Sequence, residues 1–234
     1  MVSIRPAKYI RGYSTTVNKI MPRKKFDIST LPKSPDLKIE KRLWKKGYIH
    51  LGGIDEAGRG ALAGPVTAAV VILPKIPKLK KILSGVRDSK EMAVKQRNHF
   101  EPIIKKIALA WGIGFASPAE IDELGILPAT KLAAKRAVES LSQIPDFLIT
   151  DYLSLPDIDI PQEKFVKGDM RSLTIAAASV LAKTARDAEM RELDKKYPDY
   201  GFAQHKGYGT KKHRAAIQKL GKSLAHRQSF NLKE

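Results

Sequence analysis

The chain has 234 residues, no cysteine and a formal net charge of +19. That length fits one domain with a core large enough to stand without disulfides or structural zinc, and the missing thiols exclude a disulfide scaffold, thiol catalysis and Cys-ligated metal centres. No apolar run approaches the roughly 20 residues that span a bilayer, while 43% hydrophobic and 29% charged residues describe a globular chain.

The first 50 residues carry 13 Lys and Arg against three acids, and the remaining body carries 30 against 21. A surface that basic suits polyanions, chiefly nucleic acid, although solubility alone is the plainer alternative. Residues 1–26 hold seven Lys or Arg and no carboxylate before Asp27. Three readings stand for them: a mitochondrial transit peptide, a disordered basic tail, or an over-extended start with Met21 as the true one. The cytoplasm is the expected location. Residues 1–36 are expected to form a basic, disordered extension, punctuated by Pro22, Pro32 and Pro35. Residues 37–234 then form the folded unit.

A short basic helix is predicted over Leu37–Lys46, closed by Gly47. Strands follow at Tyr48–Ile54, Val66–Leu73 and Leu109–Phe115, the first group expected to be antiparallel, with a helix over Lys90–Lys106. Ala129–Leu141 separates its faces at helical period. Phe147–Thr150 and Lys164–Lys167 read as short strands. Ser172–Lys195 is the longest predicted helix, and its first half is apolar nearly all round, hence buried. Trp44 and Trp111 are expected in the core. The order predicts an α/β fold, a mixed sheet flanked by helices.

Asp55 and Glu56 follow an apolar run, where an ionised carboxylate is costly unless paired or metal-bound. Taken alone, Asp55 could cap the turn into Gly58-Arg59-Gly60 and Glu56 could be solvated. Asp151 also ends an apolar strand, and Asp169 precedes the apolar helix. Three acids at the carboxyl ends of core elements, with Glu56, make a set of hard oxygen donors suited to Mg²⁺ or Mn²⁺ rather than zinc. Two such ions about 3.5–4 Å apart support phosphoryl transfer. Gly58 and Gly60 let a backbone approach a phosphate or sugar closely. Ser89, Lys90, His205 and Arg227 are candidate phosphate contacts, and Tyr208 could stack on a sugar or base.

The motifs GIDEAGRG (53–60), AGPV (63–66), RDSK (87–90), ITD (149–151), KGD (167–169), IAAASVLAKTARDAEM (175–190), YGFAQHKGYGT (200–210) and HRQSF (226–230) occur in that order. Across residues 37–230 the chain resembles bacterial-type ribonuclease HII. The resemblance implies an RNase H-like fold with a helical C-terminal part. It implies Mn²⁺- or Mg²⁺-dependent cleavage, by two metal ions, of RNA in RNA–DNA hybrids and at single ribonucleotides embedded in duplex DNA. The ends left would be 3′-hydroxyl and 5′-phosphate. By position, Asp55, Glu56, Asp151 and Asp169 match the family's catalytic, metal-holding acids. Gly58, Arg59, Gly60 and Tyr208 match its readers of the ribose-to-deoxyribose junction. A monomer without a membrane or protein partner is expected. Ribonuclease HIII is disfavoured by the DEAGRG motif and by the 18 positions separating Asp151 from Asp169. Two departures are Ala61, where Pro is common, and Tyr152, where Gly is common. A catalytically silent nucleic-acid binder is the other reading, but it would gain nothing from a buried acid cluster.

Overall fold

The computed structural model describes residues 26–231. Residues 1–25, which include most of the expected transit or tail segment, lie outside the described residues. Five strands, β1 (Leu51–Ala57), β2 (Val66–Ile72), β3 (Ala110–Ala116), β4 (Phe147–Asp151) and β5 (Gln162–Phe165), form one mixed sheet in the order β3-β2-β1-β4-β5. The first three are antiparallel neighbours; β4 runs parallel to β1 and β5 parallel to β4. The helices are α1 (Lys38–Lys45), α2 (Leu79–Ile82), α3 (Val94–Ile107), α4 (Pro118–Leu124), α5 (Ile126–Glu139), α6 (Gly168–Arg171), α7 (Leu173–Lys196), α8 (Phe202–His205) and α9 (Lys211–Leu220). This is the expected α/β architecture with a helical C-terminal part.

Alternation along the strands decides which residues meet which layer. Ala57, Ala69 and Val71 face α7 and α3, packing with Ala176, Ala177, Val180 and Leu181. Ile54, Val66, Ala68 and Val70 face α5, packing with Ala129, Ala133, Ala134 and Ala137. The α5 alanines permit very close approach. A Cβ on Gly112 or Gly114 of β3 would stand 2.1 Å from a carbonyl oxygen of α5. With these two glycines on the α5 face, Trp111 and Phe115 take the opposite face, the side of α3 and α7, at the edge of the sheet. Trp111 is therefore 38% exposed, with Lys105 Nζ 4.8 Å above its ring, and is not the core residue its type suggests. Trp44 is half-buried against the cluster formed by Leu43, Leu51 and Phe147.

Several boundaries differ from the sequence expectation for local reasons. β1 begins at Leu51 because the amides of Ile49 and His50 donate to the Asp146 carboxylate rather than to a ladder. It extends to Ala57, so Asp55 and Glu56 lie within the strand, not beyond its end. α3 starts at Val94 because Asp88 Oδ1 accepts the Lys90 amide and turns Ser89–Glu91 into a single 3₁₀ turn. β5 stops at Phe165 because Lys167 adopts a left-handed conformation, φ 56°. Tyr152 is also left-handed, φ 54°, which accounts for the usual glycine there: an L side chain costs about 1–2 kcal/mol in that region. Ala61 is fully buried and donates its amide to Gly58 O at 3.3 Å, a bond proline could not make.

Asp36, just before the expected start of the folded unit, is part of the described fold. Asp36 donates to Arg171 O and accepts from Leu173 N, a parallel bridge flanking Ser172. Glu40 of α1 is fully buried; its Oε1 accepts bonds from Ser172 Oγ, Thr174 N and Thr174 Oγ1. The N-terminal helix thus fastens the start of α7, together with the Ser172 side chain, which accepts the Ile175 amide as a cap.

Candidate active site

The parallel register pairs Leu51 with Phe147 and Ile54 with Thr150. One step further along both strands brings Asp55 level with Asp151 on the face toward α7. Asp169 reaches the same edge through the left-handed turn at Lys167 and the short α6. Glu56 lies beside them, its carboxylate 3.0 Å from Arg59 Nη1. All four acids predicted from the sequence therefore lie at one edge of the sheet, at the carboxyl ends of β1 and β4.

Their environment opposes ionisation. Asp55 is 4% exposed, and burial, reinforced by repulsion from Glu56 and Asp151, holds its carboxyl well above the usual carboxylate range. Burial also raises Glu56, against the pull of Arg59, and raises Asp151, although Gly168 N donates to Asp151 Oδ1 at 2.8 Å. Asp169 is pushed up to about 7 by burial and then by Asp151 and Asp88. Two carboxylate oxygens of the set, Glu56 Oε2 and Asp169 Oδ1, are buried without a hydrogen-bond partner. Unpartnered buried acceptors and mutual repulsion are what a bound divalent cation would relieve. Among the described residues no three acidic or imidazole side chains already converge on one point, so the fit rests on the hard-oxygen donor chemistry and on these two oxygens.

The metal-free protein should therefore lose stability as pH rises. A folded Asp169 keeps its proton up to about pH 7, whereas an unfolded aspartate releases it near 3.8. The folded chain binds the extra proton between these values, so its stabilising effect is complete below about pH 4 and is lost by about pH 7. Asp169→Asn should flatten the fall in melting temperature across that window, measured in chelator. Parallel curves for the two proteins would contradict this origin.

A cleft of about 350 Å³ runs beside the acids, lined by Glu56 to Gly60, Ser89, Lys90, Asp151, Lys183 and Tyr208. Lys90 is drawn toward its charged form by Asp88, Asp55, Asp169 and Asp151, which outweigh its partial burial. Ser89 is buried, and its Oγ accepts from Ser179 Oγ at 2.9 Å. Its own hydroxyl hydrogen is left for the cleft it lines. Lys183 was not predicted from the sequence. Its Nζ lies 2.6 Å from Asp187 Oδ1 and 5.7 Å from the Tyr208 ring. Its position one helical turn after Ser179, on the apolar helix, was the available signal.

The Gly58–Gly60 loop is held from beneath by two buried arginines. Gly58 has φ 93°, and a Cβ there would lie 1.9 Å from Arg186 Nε, so the fold itself demands glycine. At Gly60, by contrast, a Cβ would meet nothing within 4 Å. The fold does not require that glycine, which leaves open backbone facing outward. Arg227 is fully buried and donates to Gly58 O at 2.7 Å, Arg59 O at 2.8 Å and Gly64 O at 3.0 Å. With those bonds made, its guanidinium cannot serve as a phosphate contact; it shapes the loop. His205 is corrected similarly. Its Nε2 bonds Tyr200 O at 2.7 Å and its Nδ1 accepts the Gly207 amide at 3.2 Å, so both ring nitrogens are taken. Tyr208 is half-buried at the cleft wall, with Arg186 Cζ 5.4 Å from its ring.

The profile of the family described as Ribonuclease HII matches residues 52–233. Ribonuclease HII of Desulfitobacterium hafniense (strain Y51) is 54% identical over 194 residues, covering 83% of this chain and 73% of the relative. That of Clostridioides difficile (strain 630) is 50% identical over 192 residues, covering 82% and 74%. Among solved structures, ribonuclease H2 from Pyrococcus horikoshii OT3 superposes with a TM-score of 0.62 at 25% identity, covering 78% of this chain and 94% of that one. Bst-RNase HIII in complex with Mn²⁺ shares the fold with a TM-score of 0.58 at 18% identity, covering 78% and 67%. The acid edge, the glycine loop clamped by Arg227 and the profile that spans both agree: this chain belongs to the ribonuclease HII family of endoribonucleases, which cleave RNA in RNA–DNA hybrids.

Proposed function

We propose that this enzyme, besides hydrolysing RNA in hybrids, cleaves at single ribonucleotides embedded in duplex DNA, using two Mg²⁺ or Mn²⁺ ions and leaving 3′-hydroxyl and 5′-phosphate ends. The observation that carries this reading is one cleft lined by Glu56, Asp151, the Gly58–Gly60 loop and Tyr208, with Asp55 and Asp169 buried at the same edge of the sheet. Asp55 and Asp169 would hold the ions, with Glu56 and Asp151 completing the set. When bound, the ions supply activation of a water and charge stabilisation at the leaving oxygen. The chain's own groups position the strand. Lys90 and Lys183 offer positive charge to phosphates beside the acids. Arg59 has a half-exposed side chain tethered by Glu56 and can meet the next phosphate.

A 2′-hydroxyl is what separates RNA from DNA at one nucleotide. The open backbone at Gly60 can reach it. Tyr208 can lie against the following deoxyribose, where a 2′-hydroxyl would crowd the ring. Tyr208→Ala should then lower kcat/KM on a duplex with one ribonucleotide by a stacking loss of about 1–3 kcal/mol, and much less on a long RNA–DNA hybrid. Equal losses on the two substrates, assayed in Mg²⁺ and in Mn²⁺, would show that Tyr208 serves general docking instead.

A further inference from the structure

Behind Tyr208 lies a cluster of imidazoles that the chemistry above does not use. His213 on α9 and His226 in the C-terminal segment are 0% and 1% exposed. Their Nε2 atoms face each other at 3.1 Å. On the far side of His226, the Ser223 amide donates to Nδ1 at 2.9 Å. On the far side of His213, Nδ1 lies 3.0 Å from Tyr208 O.

The two ends fix every proton between them. An amide N–H can only donate, so His226 Nδ1 is bare and its Nε2 carries the hydrogen. That hydrogen goes to His213 Nε2. His213 therefore carries its own hydrogen on Nδ1, and a carbonyl oxygen can only accept it. The relay runs in one direction, from Ser223 N–H through His226 and His213 to Tyr208 O. It requires two neutral rings, and burial supplies them, holding His213 and His226 down at about 4. His205 stacks on His213 with centroids 4.1 Å apart and planes 16° apart, and the Phe202 ring meets His213 edge-on and His226 at a tilt. The rings cannot turn without breaking this packing.

His226 is also a backbone neighbour of the other half of the cleft. It forms a bridge with Ala63, and Arg227 beside it holds the carbonyls of Gly58, Arg59 and Gly64. The imidazole pair thus joins the segment that shapes the glycine loop to the carbonyl of the residue that carries the tyrosine ring.

We propose that His213 and His226 are positioning residues that set the spacing between Tyr208 and the Gly58–Gly60 loop, and so set the preference for a lone ribonucleotide over a continuous hybrid. This rests on the reading above that those two elements recognise the junction. Neither histidine touches substrate. Both act through the backbone they tie together, where a displacement of an ångström is enough to spoil a recognition geometry.

The test is the ratio of kcat/KM on a single-ribonucleotide duplex to that on a long RNA–DNA hybrid, with melting temperature and duplex affinity measured alongside. His213→Phe keeps the ring packing and removes both nitrogens; it should lower the ratio by about tenfold. Combined with Tyr208→Ala it should lower the ratio no further than Tyr208→Ala alone, because both act on one element. Should His213→Phe fold poorly, His226→Leu and His226→Gln carry the test: the first should lose the preference, and the second, with an amide nitrogen near the Nε2 position, should keep it within about twofold. Independent, multiplying effects of His213→Phe and Tyr208→Ala would overturn the proposal, as would equal behaviour of the Leu and Gln variants. A selective loss in Tyr208→Ala with an unchanged ratio in His213→Phe would overturn the positioning role alone. An unchanged ratio in Tyr208→Ala would remove the junction reading and this inference with it.

Discussion

Asp55→Asn is expected to lower turnover by about 10²–10³-fold while making the metal-free protein more stable. The two effects have one cause. Asp55 sits at 4% exposure within β1, level with Asp151 across the parallel register and near Glu56 and Asp169. A carboxyl at that spot is held above its ordinary range by burial and by its neighbours, so ionising it in the metal-free site works against folding. Asparagine keeps the volume and removes the charge. The other acids then lose one repulsive partner, which should raise stability by about 1 kcal/mol, or about 2–4 °C in Tm for a chain of this size. Catalysis loses an anionic oxygen donor at the centre of the set, and losses of single electrostatic groups in such sites reach about 10²–10³-fold. Hybrid binding should change little, because Lys90, Lys183 and Arg59 remain. Near wild-type cleavage, or a fall in Tm, would contradict the assignment.

Arg227→Met should destabilise the protein by about 3–5 kcal/mol and disable recognition of the junction. Removing the guanidinium takes from the carbonyls of Gly58, Arg59 and Gly64 the donor they share, leaving Gly58 O only the 3.3 Å bond from the Ala61 amide. The loop then loses the contact that opposes it to Arg186, whose Nε and Nη2 donate to Pro65 O and Ala63 O. Arg227→Lys should fare little better, since one ammonium cannot reach three carbonyls in the geometry of a planar fork. Denaturant unfolding and kcat/KM on the two substrates measure both halves of this expectation. A lysine variant with wild-type stability and selectivity would mean that the charge, not the fork, matters at this position.

What the sequence made legible depends on how local the signal is. Apolar runs ending in an acid were readable at Ile54-Asp55 and Thr150-Asp151, because burial demands the run and chemistry demands the exception. The mixed sheet was readable for the same reason: its central strands are continuous apolar segments. α4 announces itself by Ser117-Pro118-Ala119-Glu120, and the capping box is formed, yet a seven-residue helix has too short a stripe for periodicity to expose it. The roles of His205 and Arg227 were not readable. Both are polar residues in Gly-flanked, basic motifs, which suggests phosphate, and only the tertiary fold reveals the carbonyls that consume their donors. The same holds for Trp111, turned to the opposite face by glycines whose need for close packing appears only with α5 in place.

The most direct measurement is cleavage, mapped to the nucleotide, of a DNA duplex carrying one ribonucleotide, with Mg²⁺, with Mn²⁺ and with excess chelator. A single cut at the ribonucleotide in either metal, with 3′-hydroxyl and 5′-phosphate ends and none in chelator, is the expected result. Cleavage that persists in chelator, or products ending in a 2′,3′-cyclic phosphate, would contradict the two-ion hydrolysis assigned to Asp55, Glu56, Asp151 and Asp169. An intact embedded-ribonucleotide duplex beside a degraded RNA–DNA hybrid would confine the enzyme to continuous hybrids and contradict the junction-reading role given to Gly60 and Tyr208.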